Sequence, residues 1–199
     1  MDEAVVEAHT SEAHPTYTGL DTVKLAMWAF LGSECLFFGA MISTHLLYKH
    51  PKTGPGREIY DIPYTSVSSF VLLISSLTMV LALAAIQRGD QRRLRTWLIA
   101  TALLGSSFIG GQIFEFTAFV TEHALTVKTN TFGSSFYMLT GFHGLHVTVG
   151  ILMLLSLAWL SKLGRLPQED ARKVEMVGLY WHFVDVVWIV IFTVVYLIP

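Results

Sequence analysis

Apolar residues along this chain fall into five long runs separated by short polar breaks, at about residues 24–48, 64–86, 97–120, 134–160 and 176–198. A helix needs about 20 apolar residues to cross a bilayer, and each run reaches that length. A membrane strand would need about half as many and would alternate polar with apolar positions, which these runs do not. Lipid offers no water to the backbone, so every N–H and C=O must pair inside the chain, and helices satisfy that requirement. The pattern therefore predicts an all-α polytopic membrane bundle of five transmembrane helices, forming one domain over 23–199. Gly105, Gly110, Gly111, Gly141, Gly144 and Gly150 lie within the runs, where small residues let helix backbones approach closely.

The breaks carry turn residues: Pro51, Gly54, Pro55, Gly56 and Pro63 between the first two runs, Gln87-Arg88-Gly89-Asp90 before the third, and Gly164 and Pro167 before the fifth. No internal repeat is visible, which gives no support to a transporter built from inverted repeats.

Composition agrees with lipid as the solvent. Of 199 residues, 53% are hydrophobic and 14% charged, and the mean hydropathy is +0.54. Soluble domains carry about 25% charged residues, so disorder and an ordinary water-soluble enzyme are both excluded. A net charge of −2 and a pI near 6.4 exclude a nucleic-acid binder. One cysteine, Cys35, excludes an internal disulfide and any metal site built from several thiolates; in an apolar run it reads as a small inert hydrophobe.

Positive charge sets the expected orientation. Nine basic residues lie on the side of the N-terminus: Lys24, Arg88, Arg92, Arg93, Arg95, Lys162, Arg165, Arg172 and Lys173. Four lie on the other: Lys49, Lys52, Arg57 and Lys128. The N-terminus is expected in the cytoplasm and the C-terminus outside. Residues 1–22 hold five acids and no Lys or Arg, which predicts a mobile cytoplasmic tail rather than a signal peptide, with His9 and His14 in water.

Three acids fall inside the runs, Glu34, Glu115 and Asp185, together with His143, His146 and His182; His45 lies near the outer end of the first. A charged acid at mid-membrane costs roughly 2.5–3.5 kcal/mol on insertion scales. Holding it neutral at pH 7 costs about the same, roughly 3.7 kcal/mol. A polar partner therefore decides its state, and such acids face the bundle interior. With a rise of about 1.5 Å per residue, Glu34, Asp185, His143, His146 and His182 fall between roughly 9 and 17 Å from the cytoplasmic ends. They predict one buried polar belt. Glu115 falls at roughly 27 Å, which reads Gln112 and Glu115 as an interfacial polar pair.

Three readings of the belt stand at this level: hydrogen-bonding glue between helices, a proton-handling or lipid-headgroup role for Glu34, and haem or metal ligation by His146 and His182. Trp28, Trp97, Trp159 and Trp181, near run ends, read as interfacial anchors, and Trp188 as packed against a neighbour.

Tyr180-Trp181-His182-Phe183-Val184-Asp185-Val186-Val187-Trp188 closely resembles the final-helix signature of subunit III of haem–copper oxidases. Gly141-Phe142-His143-Gly144-Leu145-His146-Val147 is similar to that family's preceding helix, and Ser33-Glu34 with Phe37-Phe38 to the helix carrying its buried glutamate. Gln112 and Glu115 fall where the family has a Gln and a Glu. The larger members have seven helices, and this chain resembles the shorter five-helix form.

The resemblance implies a subunit with no catalytic residue, redox centre or metal of its own. Haem and copper belong to its partners, subunit I, against which it packs directly, and subunit II. It implies bound phospholipid near Glu34, support of proton uptake, and cytochrome c or quinol as donor to the complex. The cytochrome c type in a bacterial plasma membrane is the expectation. The alternatives are a bo-type quinol oxidase, a nitric-oxide-reductase accessory chain, a haem-b subunit and an independent ion transporter.

Overall fold

The computed structural model describes residues 22–49, 62–123 and 131–198. The segment expected as a tail lies outside the described residues, except Thr22, which opens the first helix. Five helices follow in order: α1 (Thr22–Tyr48), α2 (Ile62–Gln87), α3 (Gln91–His123), α4 (Thr131–Lys162) and α5 (Ala171–Phe192). A 3-10 turn, Gln168–Asp170, leads into α5, and a π-helical turn, Thr193–Leu197, continues it. All five are long and apolar enough to cross a membrane, and no strand occurs among the described residues.

The helices outrun the apolar stretches that predict them. α3 begins at Gln91, although its apolar run starts only at Trp97, because Asp90 caps it: Oδ1 accepts the Arg93 backbone N–H at 3.0 Å. The preceding reversal is tight, with Gly89 at φ 75°, a region a side chain disfavours. α2 and α3 thereby run antiparallel and form the most extensive helix contact, followed by α3 with α4.

Trp181 occupies the centre of the bundle, fully buried. Its ring on α5 sits between Gly105 of α3 and Gly150 of α4, where an added Cβ would stand 2.5 Å and 2.7 Å from ring atoms. Its indole Nε1 donates to Ser75 Oγ of α2 at 2.9 Å. This corrects the anchor reading of Trp181. Position near a run end suggested the interface, but the glycines on two other helices open a slot for the ring inside the bundle. Trp28 and Trp159 are exposed, as anchors require, and Trp97 is half-buried.

α1 is peripheral. Only 11% of its most apolar 18-residue stretch is buried, against 44% for those of α2 and α5. It packs on α4 and α5, and polar contacts fasten both ends. Lys24 pairs with Glu175 at 2.7 Å at one end. At the other, Lys49 Nζ donates to the carbonyls of Val194, Val195 and Ile198 at 2.8, 3.1 and 2.5 Å, capping the end of α5.

Since Gly105 and Gly150 both leave no room for a Cβ beside the Trp181 ring, Gly105→Ala or Gly150→Ala is expected to destabilise the bundle by about 1–3 kcal/mol through overpacking. The midpoint of detergent denaturation, followed by tryptophan fluorescence, measures this. Gly39→Ala, where an added methyl meets nothing within 4 Å, should leave the midpoint unchanged. An unchanged midpoint for Gly105→Ala would show that the ring is not wedged there.

Candidate functional site

The structure divides the expected belt into separate clusters. Glu34 on α1 meets His146 on α4, with Oε2 3.2 Å from Nε2 and both side chains four-fifths buried. His146 Nδ1 lies 2.8 Å from the Phe142 carbonyl. Phe37, Phe38 and Phe142 surround the pair in edge and tilted ring contacts. Tyr180 of α5 donates its hydroxyl to the His146 carbonyl at 3.1 Å.

The geometry constrains the protons of this pair. One ring nitrogen faces a carbonyl, which only accepts, and the other faces a carboxyl. If both nitrogens donate, an imidazolium stands opposite a carboxylate. If Nε2 is bare, the protonated carboxyl donates to it. Both arrangements are net neutral and hold the same number of protons, so one proton can move between carboxyl and ring without changing the charge carried into lipid.

His182 and Asp185 share a face of α5 but address α2. His182 Nδ1 lies 2.6 Å from Ser76 Oγ. Asp185 is buried, and neither of its oxygens has a hydrogen-bond partner among the described residues. His143 is fully buried and stacks on Trp188 at 4.8 Å, with Phe38 and Phe108 edge-on. Neither of its ring nitrogens has a hydrogen-bond partner among the described residues. Trp188 in turn donates to Ser69 Oγ of α2 at 2.8 Å. His45 is buried, with Nδ1 3.1 Å from Ser135 Oγ of α4.

Gln112 and Glu115 are both buried, and each binds a different helix. Gln112 Nε2 donates to the Thr140 carbonyl of α4 at 2.7 Å. Glu115 accepts from Thr65 of α2 at 2.9 Å and from Tyr196, after α5, at 3.0 Å. Depth along the helix, the basis of the interfacial reading, says nothing of this lateral burial.

These histidines do not fit a haem or metal. His146 has both ring nitrogens engaged, His182 turns to α2, and His143 is enclosed by aromatic rings. No group of three or more His, Cys, Asp or Glu converges among the described residues. The sequence reading missed the hydroxyl partners on α2: Thr65, Ser69, Ser75 and Ser76. Their signal was a row of small hydroxyls in an otherwise apolar run.

The chain is similar to known proteins over nearly its whole length. The profile described as cytochrome c oxidase subunit III matches residues 2–198. Cytochrome c oxidase subunit 3 of Bacillus subtilis is 36% identical over 200 residues, covering 97% of each chain. Cytochrome bo(3) ubiquinol oxidase subunit 3 of Pseudomonas aeruginosa is 37% identical over 208 residues, covering 99% of this chain and 98% of the relative. Cytochrome c oxidase subunit 3 of Bacillus sp. is 40% identical over 176 residues, covering 87% of this chain and 84% of the relative.

Glu115 and Tyr196 supply a direct energetic test of the buried contacts. A double-mutant cycle of Glu115→Gln and Tyr196→Phe is expected to give a coupling of about 0.6–1.7 kcal/mol, the range for hydrogen bonds between membrane helices. Detergent denaturation of the four proteins measures it, and a coupling of zero would mean the bond contributes nothing.

Proposed function

Because this chain belongs to the cytochrome c oxidase subunit III family, we propose that it serves its terminal oxidase as a non-redox subunit that binds phospholipid and supports proton uptake. It packs directly against subunit I, with subunit II completing the complex. Haem and copper reside on those partners, and dioxygen is reduced to water there. This chain contributes no catalytic residue, cofactor or metal ligand. It lies in a bacterial plasma membrane, with the N-terminus cytoplasmic and the C-terminus outside, in line with nine basic residues against four.

The observation that carries this reading is the Glu34–His146 pair. It sits where peripheral α1 meets α4, close enough to the outer surface to retain slight exposure. A carboxyl so placed can hold a proton, or turn toward a polar lipid headgroup, while its histidine keeps the site neutral. The buried contacts of His182, Gln112 and Glu115 act as glue that fixes the bundle presenting this pair.

Cytochrome c is the donor in the main reading. A quinol donor is the second reading, favoured by the quinol oxidase subunit 3 relatives, among them one of Bacillus subtilis that is 40% identical over 176 residues.

Glu34→Gln in the assembled oxidase tests the role of the pair. It keeps the shape and the hydrogen bond but removes the movable proton. Severalfold slower proton uptake at retained haem content is expected, with less phospholipid co-purifying. If lipid retention, turnover and proton uptake all stay at the parent level, Glu34 is a buried spacer and the proposal falls.

A further inference from the structure

The tight α2–α3 turn opens a groove on the surface of the bundle. Leu81, Ala84 and Ala85 of α2 and Trp97 of α3 form its apolar part, and Arg88 and Arg93 stand at its polar end, around a space of about 480 Å³. Leu81, Ala84 and Trp97 are partly exposed, so the apolar floor is continuous with the outer surface of the bundle. The Arg88 guanidinium has no hydrogen bond or ion pair among the described residues; only its backbone N–H is engaged, on the Ala84 carbonyl at 3.3 Å. Arg93 uses only Nε, on Asp90 Oδ2 at 3.2 Å, and its other two guanidinium nitrogens carry no protein partner there. Asp90, the one acid in the lining, is occupied by that contact and by capping α3. The groove therefore offers two arginines, one of them wholly unpaired, directly above an apolar slot with an indole at its edge.

We propose that this groove binds the headgroup of an anionic phospholipid. The phosphate lies between Arg88 and Arg93, and the first acyl carbons run along Ala84, Leu81 and Trp97. Basic pockets between helices at the membrane surface recognise anionic headgroups in this way, and arginine suits phosphate because its planar fork donates twice. A free phosphate ion would satisfy the arginines but leave the apolar half of the lining without a partner, and a zwitterionic lipid would lack the net charge. The site is independent of Glu34, since no residue of α1 lines it, so either proposal can fail without the other.

The test uses the intact oxidase complex, delipidated in detergent and followed by native mass spectrometry while dioleoyl phosphatidylglycerol is titrated in. The Arg88→Gln/Arg93→Gln double variant is expected to weaken the tightest phosphatidylglycerol addition by about tenfold or more. Asp90 is left in place so that α3 keeps its cap. Ala84→Leu, which fills the slot but leaves both arginines, should weaken the same addition, while Arg92→Gln, outside the lining, should not. Dioleoyl phosphatidylcholine binding should be equal in all of them. In the unaltered complex, a photoreactive phosphatidylglycerol should label peptides spanning residues 81–97. Equal phosphatidylglycerol binding in the double variant and its parent would overturn the proposal, as would labelling elsewhere with none on those peptides. Displacement by inorganic phosphate at lipid-like concentrations would show an ion site and overturn the lipid assignment.

Discussion

Trp181 is the side chain on which the arrangement of four helices depends. It starts from α5, fills the slot made by Gly105 of α3 and Gly150 of α4, and donates its indole proton to Ser75 of α2. In lipid the hydrophobic effect does not draw helices together, so close packing and hydrogen bonds between helices must do so. One residue here supplies both. One and two turns further on, Asp185 and Trp188 continue the same face, with Trp188 bonded to Ser69 and stacked on His143. α5 is thereby seated in a groove built by the other helices, and its aromatic residues set their spacing.

α1 stands outside this plan. It lacks a broad buried face and is held by discrete polar contacts: Lys24 with Glu175, Glu34 with His146, His45 with Ser135, and Lys49 with the last carbonyls of α5. A helix that buries only a narrow stripe, Leu31, Phe38 and His45 with Met27, Met41 and Ile42 packed beside the core, leaves most of its surface for lipid or another subunit. The Glu34–His146 contact, on which the proposed function rests, is one of those points, so any chemical role of Glu34 is combined with part of the attachment of α1 to the bundle.

Much of the fold was legible in the sequence, because crossing lipid demands long apolar runs and the five runs are unambiguous. Their ends were less so: the Asp90 cap and the polar first turn that extend α3 carry no hydropathy signal. Which face of each helix meets another helix was not legible, since in lipid both the buried and the exposed faces are apolar. That is why Trp181 read as an anchor, and why depth alone gave no sign that Glu115 bonds to Thr65 and Tyr196. The polar residues themselves were visible, but their partners were not. His146 and His182 share a similar depth yet face different helices, a distinction that only the packing of α1, α2 and α4 decides.

The most direct measurement is gentle purification of the tagged chain from its own membranes, with subunit mass spectrometry and a reduced-minus-oxidised spectrum taken before and after the chain is separated. The expected result is co-purification with a haem–copper subunit and loss of all haem signal once the chain is isolated. Haem remaining with the isolated chain would contradict the non-redox role and make His146 and His182 ligand candidates again. A colourless chain that carries no oxidase partner would contradict its place in the complex.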